Sequence, residues 1–277
     1  MKFKDKLKAI SLKNNSLVCV GLDSDISKIP EFIQNGKHPQ STFNKAIIEA
    51  THDLVCAYKP NTAFYEARGH AGIEALKISC DYLREKYPKI PIIIDAKRAD
   101  IGNTNNGYAK FIFDYLQADA ITVHPYLGRE ALKPFLDYED KGIIVLCRTS
   151  NPGAGEFQDL VVNGKKLFQI IAENVVKNWN VNDNCGLVVG ATYSAELEIV
   201  RHIVGDNFPL LIPGIGVQGG QVEKTVKAGV DGNGLNAVIN SSRGIIFASN
   251  RSDFADKARQ KAIKLRDDIN KYRKESI

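Results

Sequence analysis

Pro91-Ile92-Ile93-Ile94-Asp95-Ala96-Lys97-Arg98-Ala99-Asp100-Ile101-Gly102-Asn103-Thr104 is one copy of a repeating unit. A short apolar run (91–95) ends in ionisable residues spaced D-x-K-x-x-D, and a helix-period segment (103–116) follows. Apolar runs of the same kind recur at 16–22, 55–59, 118–123, 142–147, 186–189, 208–212 and 236–240. Helical patterns lie between them at 42–54, 69–86, 165–179, 195–204 and 221–228. Strands alternating with helices imply βαβ units and a parallel sheet. Eight such strands in 277 residues favour a closed (β/α)8 TIM barrel over an open doubly wound sheet. We therefore expect an α/β fold with one barrel over 1–277, and with 252–275 as a helix packed on it. Phe254, Ala258, Ala262, Leu265, Ile269 and Tyr272 recur at helical spacing and would form the buried stripe of that helix.

Composition narrows the function classes. An apolar share of 44% and a charged share of 25% are ordinary for a globular protein. The net charge is +5, but residues 251–277 hold nine Lys/Arg against five Asp/Glu, so most of the excess sits on that last helix. Its two aromatic residues, Phe254 and Tyr272, belong to the expected buried stripe and offer no stacking surface among the basic ones, which argues against nucleic-acid binding. Cys19, Cys56, Cys80, Cys147 and Cys185 include no C-x-x-C, which points to a reducing, cytoplasmic setting and away from a zinc site. His38, His52, His70, His124 and His202 are scattered, so no metal centre is expected. Residues 1–10 are charged and lack the apolar region of a signal peptide, and no apolar run is long enough to span a membrane.

The chemical groups fall where a barrel would gather them. Asp23 follows the first strand, Lys59 ends the second, and Asp95 and Lys97 end the third. Thr149 and Ser150 follow the fifth, Gln218 the seventh and Arg243 the eighth. All sit at C-terminal strand ends, the active-site face of this fold. Alternation along a strand would put Asp95 and Lys97 on one face, with Cα atoms roughly 6.6 Å apart. Carboxylates on either side of an ammonium favour its charged form. Such a group suits chemistry that expels an anion and protonates the carbon left behind, although the spacing also fits a salt-bridge cluster. The longest irregular stretch, 148–163, follows strand five and would lie on the same face.

Pro213-Gly214-Ile215-Gly216-Val217-Gln218-Gly219-Gly220 contains G-x-G-x-x-G between a strand and a helix. It does not open a first βαβ unit, and no acidic residue ends a following strand about 20 positions on, so it is not a dinucleotide fingerprint. In a barrel, the loops after strands seven and eight commonly bind phosphate. Ser241-Ser242-Arg243-Gly244 adds hydroxyls and a guanidinium, whose planar fork matches phosphate oxygens.

These residues together resemble the orotidine 5′-phosphate decarboxylase family, over nearly the whole chain. The pattern is carried by Val20-Gly21-Leu22-Asp23, Tyr58-Lys59-Pro60-Asn61, Asp95-x-Lys97-x-x-Asp100-Ile101-x-x-Thr104, Arg148-Thr149-Ser150-Asn151-Pro152-Gly153 and the two glycine-containing loops. Asn151 replaces the histidine of the common short form. Extra residues around 24–40 and 153–164 resemble the longer, type 2-like branch. The resemblance implies a cofactor-free conversion of orotidine 5′-monophosphate to UMP and CO2. It implies that Asp23 and Lys59 bind ribose hydroxyls, with Lys59 also in the catalytic charge network, that Asn61 contacts the substrate, and that Asp95 faces the substrate carboxylate. Lys97 would stabilise and protonate a C6 carbanion. Thr149 and Ser150 would meet the pyrimidine. Pro213, Gly214, Gly216, Gln218, Gly219, Ser242, Arg243 and Gly244 would hold the phosphate. Asp100, Ile101 and Thr104 would reach a partner subunit, giving a homodimer with shared sites. Association with a separate orotate phosphoribosyltransferase is left open. Two alternatives remain at this stage: a metal-dependent hexulose-phosphate synthase-like lyase with the same D-x-K-x-x-D, and a non-catalytic nucleotide-binding protein on the same scaffold.

Overall fold

In the computed structural model, which describes residues 1–215 and 219–274, eight strands form one sheet. They are β1 (Val18–Gly21), β2 (Ala57–Lys59), β3 (Ile93–Arg98), β4 (Ala120–Val123), β5 (Gly142–Arg148), β6 (Cys185–Val189), β7 (Leu210–Pro213) and β8 (Ala237–Ser241). Their order is β2-β1-β8-β7-β6-β5-β4-β3 and every pairing is parallel. The two ends meet through isolated bridges, Tyr58 to Ile92 and Asn61 to Asp95. The Asp95 N–H donates to the Pro60 carbonyl at 3.0 Å across that seam. The sheet is thus a barrel, as the alternation of patterns predicts. Its strands are buried almost throughout, because helices cover the outer face of a parallel barrel.

The connecting helices follow the apolar periodicity. The helix Gly69–Lys86 has the expected bounds, with Leu76, Cys80 and Leu83 on its buried side. The helix Gly102–Ala109 continues as wider π-type turns over Lys110–Tyr115, and Leu167–Asn174 does so over Val175–Trp179. The terminal helix Phe254–Lys274 buries Phe254, Ala258, Ala262, Leu265 and Ile269, while Tyr272 is half-buried. Phe254 stacks on Phe43 of the helix Pro39–Thr51, with ring centroids 5.2 Å apart.

Three features depart from the sequence reading. The stretch 148–163 is not irregular throughout: it forms two short helical turns and the first arm of a hairpin, Val161–Val162 paired with Lys165–Lys166. The next helix accordingly starts at Leu167, because Lys165 and Lys166 belong to the hairpin. A helix over Gly128–Leu136 was hidden by its short length and by Pro134 inside it. The charged N-terminus is itself a helix, Phe3–Lys13, whose Phe3, Leu7 and Ile10 are buried.

That first helix closes the end of the barrel where strands begin. Its Lys6 ammonium reaches Asp119, one residue before β4, at 2.8 Å. Asp119 also accepts from Arg84 at 2.6 Å and from the Ile92 N–H at 2.8 Å. Only 8% of Asp119 is exposed, so its carboxylate depends on these donors. Removing one member of a buried ion cluster strands the others. Asp119→Ala should therefore lower the unfolding free energy by about 3–5 kcal/mol, measured by urea denaturation. A change below about 1 kcal/mol would mean that the cluster is effectively solvated.

Candidate active site

The site is built at the opposite end, where strands finish. A cavity of about 660 Å³ is lined by Asp23 beyond β1, Lys59 and Asn61 from β2, Asp95 from β3, residues 213–215 from β7 and residues 240–244 from β8. Its charged wall centres on Asp95, which is only 9% exposed. One carboxylate oxygen accepts from Lys59 Nζ at 2.8 Å and lies 3.5 Å from Asn61 Nδ2. The other accepts from Lys97 Nζ at 2.6 Å and from the Thr122 hydroxyl at 2.9 Å. Burial alone would raise the Asp95 pKa, but the ammonium groups of Lys59 and Lys97 outweigh it and hold the carboxyl well below its usual range. Burial likewise opposes the Lys59 charge, and Asp95 and then Asp23 more than restore it, so its pKa is raised. Both signs keep the pair ionised across the neutral range.

Asp23 completes this wall. It lies 4.0 Å from Lys59 Nζ, and its Oδ1 is buried with no hydrogen-bond partner in the structure while the residue borders the cavity. That oxygen faces Lys59, while the rest of the carboxylate borders the cavity, where it can accept from a ligand donor.

Lys97 reaches Asp95 for a different reason from the expected one. Regular alternation does not persist to Lys97. The β3–β4 register runs Ile94 to Ile121 and then Arg98 to Val123, so β3 carries two extra residues there. Lys97 sits in this bulge at φ 48°, a left-handed conformation uncommon for a residue with a long side chain. Asp100 does not flank Lys97 within the chain. One of its carboxylate oxygens accepts from the Ile101 N–H at 2.7 Å, and its own N–H donates to Asn105. Among the described residues Asp100 forms no ion pair. Ile101 is 63% exposed and Thr104 is exposed, so this segment faces outward from the rim.

The remaining expected groups divide between two loops. Pro213, Gly214, Ser242, Arg243 and Gly244 border the cavity opposite Asp95, and Gly219 begins the helix Gly219–Gly229. Gly216 and Gln218 lie outside the described residues. Arg243 is exposed and has no ion-pair partner among the described residues. The Ser242 side chain is held by Asn240 Nδ2 at 3.2 Å and is pressed against β1. A Cβ on Gly21 would fall 1.8 Å from Ser242 Oγ, so only glycine fits there. Thr149 and Ser150 do not border the cavity. Gln158 engages Thr149 through its N–H at 2.8 Å and its hydroxyl at 2.9 Å, so Thr149 braces its own loop. Ser150 is exposed and packs over Gly190, where a Cβ would come within 2.7 Å of Ser150 Cβ. Among the described residues no three His, Cys, Asp or Glu side chains converge as a metal-binding group.

The sequence reading missed Thr122, Asn105 and Asn240. Thr122 is enclosed in an apolar strand run, where a single hydroxyl looks like packing. Asn105 lies inside a helical pattern, yet it ties the turn after β3 by donating to the carbonyls of Asp100 and Ala131 at 2.5 and 2.6 Å.

Comparison with known proteins places the chain in a family. Residues 16–258 match the model of the orotidine 5′-phosphate decarboxylase / HUMPS family. The chain is 49% identical over 274 residues to the orotidine 5′-phosphate decarboxylase of Cellvibrio japonicus, covering 98% of each. It is 50% identical over 274 residues to that of Ralstonia nicotianae, covering 99% of this chain and all of the relative. Among solved structures it resembles Leishmania donovani OMP decarboxylase, with a TM-score of 0.85 and 37% identity over 99% of both chains. It also resembles L. donovani UMP synthase, with a TM-score of 0.86 and 38% identity, over 99% of this chain and 57% of that one. With the buried Asp95 held between Lys59 and an exposed Lys97 at one wall of the barrel mouth and the residue 242–244 loop at the other, the chain belongs to the orotidine 5′-phosphate decarboxylase / HUMPS family.

Proposed function

We propose that this chain decarboxylates orotidine 5′-monophosphate to UMP and CO2, the last step of de novo pyrimidine synthesis, in the cytoplasm and without a cofactor. The observation that carries the reading is a buried carboxylate clamped between two ammonium groups, across a cavity from a loop offering an exposed guanidinium. In this reading the 5′-phosphate lies against Arg243, Ser242 and Gly244, with Pro213, Gly214, Gly216, Gln218 and Gly219 on the other loop. The ribose hydroxyls meet Asp23, Lys59 and Asn61, and the Asp23 carboxylate accepts a hydrogen bond from one of them. Thr149 and Ser150 close over the pyrimidine.

The chemistry then follows from charge. Asp95 is held ionised by Lys59 and Lys97, so it cannot relieve repulsion from a nearby substrate carboxylate by taking up a proton. The bond from C6 to the carboxylate carbon breaks, CO2 departs, and the electron pair stays on C6. The Lys97 ammonium stabilises that charge as it develops and transfers a proton to C6. Fixed charge aimed at the developing carbanion needs no rearrangement during the reaction. Binding energy from the distant phosphate supports the step by fixing the reacting end. The whole chain, with its terminal helix, acts as one unit in this reading. Asp100, Ile101 and Thr104 complete the site of a second subunit.

Lys97→Ala should abolish nearly all turnover, followed as loss of substrate absorbance, while UMP binding persists. Retention of more than about a tenth of wild-type kcat, a barrier change under roughly 1.4 kcal/mol, would overturn the role given to Lys97. The wild type should turn over equally with EDTA; loss restored by Mg²⁺ would favour the metal-dependent lyase. Arg243→Ala should reduce kcat/KM for orotidine 5′-monophosphate by about ten- to several-hundred-fold, but leave the value for orotidine unchanged. Equal losses for both substrates would mean that Arg243 supports the fold rather than the phosphate. If Asp100 serves a partner's site, inactive Asp100→Ala and Lys97→Ala subunits should regain partial activity when mixed, because some hybrid sites carry both groups. Demonstrated subunit exchange with no activity would assign Asp100 to its own chain.

A further inference from the structure

Among the described residues, Thr122 is the side chain that hydrogen-bonds both halves of the D-x-K unit from another strand. It lies in β4 opposite the β3 bulge and is fully buried. The bulge takes the Lys97 N–H out of the regular β3–β4 ladder, and Thr122 Oγ1 accepts it at 3.0 Å. A hydroxyl has one proton to give. A backbone N–H can only donate, so the Thr122 proton is directed elsewhere, to Asp95 Oδ1 at 2.9 Å. The same carboxylate oxygen receives Lys97 Nζ at 2.6 Å. Three groups thereby form a closed circuit: Lys97 backbone to Thr122, Thr122 to Asp95, and Asp95 to the Lys97 ammonium. The β-branched side chain of threonine is stiff at χ1, so the hydroxyl stays in place without a ligand.

We propose that Thr122 is a positioning residue that fixes the left-handed backbone of Lys97 and the orientation of the Asp95 carboxylate, and so holds the Lys97 ammonium against the carboxylate that lines the cavity. The inference rests on the decarboxylase reading for its kinetic consequence, but not for its geometry. Without the hydroxyl, the Lys97 N–H and Asp95 Oδ1 each lose a fixed partner, and the ammonium gains freedom at the atom that must deliver a proton. Substrate binding groups on β1, β7 and β8 are untouched, so the loss falls on the chemical step.

The test compares Thr122→Val, which keeps the shape and removes the hydroxyl, with Thr122→Ser, which keeps the hydroxyl. Thr122→Val should lower kcat about ten- to a hundred-fold with KM changed less than about threefold. Thr122→Ser should stay within about threefold of wild type. Amide hydrogen exchange at Lys97 should accelerate at least about tenfold in the valine variant and not in the serine variant. That readout holds whether or not the wild type decarboxylates orotidine 5′-monophosphate, which wild-type turnover tests separately. If the valine variant fails to fold, Thr122→Ala against Thr122→Ser carries the same comparison. Hydroxyl-free and hydroxyl-bearing variants with equal kcat, a loss confined to KM, or unchanged Lys97 exchange would each overturn the proposal.

Discussion

The structure turns on a carboxylate that is taken out of water and must be compensated. A buried ionised group is costly unless paired and hydrogen-bonded. Asp95 meets that requirement with donors from three strands: Lys59 and Asn61 at the end of β2, Lys97 on β3 and Thr122 on β4. Each donor fixes the position of the element that bears it. The bulge in β3, the seam between β2 and β3 and the shape of the cavity wall all follow from satisfying one charge. The same requirement makes the cluster reactive, since charges held this firmly cannot reorganise to accommodate a bound anion.

The two ends of the barrel use ion clusters differently. At the strand beginnings, Lys6, Arg84 and Asp119 join the N-terminal helix to the sheet; a cavity of about 500 Å³ borders Lys6 and Asp119, but both Asp119 oxygens are hydrogen-bonded within the protein. At the strand ends, the Asp23 oxygen is left without a partner beside a cavity. One cluster has its carboxylate fully paired and fastens a helix to the sheet, and the other lines the cavity where the strands end. The separation agrees with the division of this fold into a stability face and a loop-bearing functional face.

Periodicity made the barrel legible, because a buried parallel strand ending in polar residues is a local signal repeated around the sheet. The placement of Asp23, Lys59, Asp95 and Arg243 at strand ends followed from that frame. What stayed hidden depends on departures from regularity. Alternation cannot foresee a bulge, so the left-handed Lys97 and the displacement of Asp100 from its side were invisible. Thr122 carries its function through a hydroxyl in an otherwise apolar run, and nothing in the run distinguishes it from packing. The Phe3, Leu7 and Ile10 stripe was present in the sequence, but the lysines around it masked the helix. The hairpin at 161–166 is too short to show a pattern of its own.

The barrel's seam has a thermodynamic consequence. Every neighbouring pair of strands shares a ladder, interrupted by bulges between β3 and β4 and between β5 and β6, except β2 and β3, which are joined by two isolated bridges, one of them between Asn61 and Asp95. The junction that lacks a ladder therefore runs through the most highly charged part of the cavity. There the sheet is held by the two bridges and by the Lys59–Asp95 ion pair. A molecule bound across Asn61, Lys59 and Asp95 would act as a clasp on that junction, so that occupancy is converted into cohesion of the entire sheet. Binding to the closed form alone adds to its stability by mass action, and the empty protein is the one whose wall is free to part.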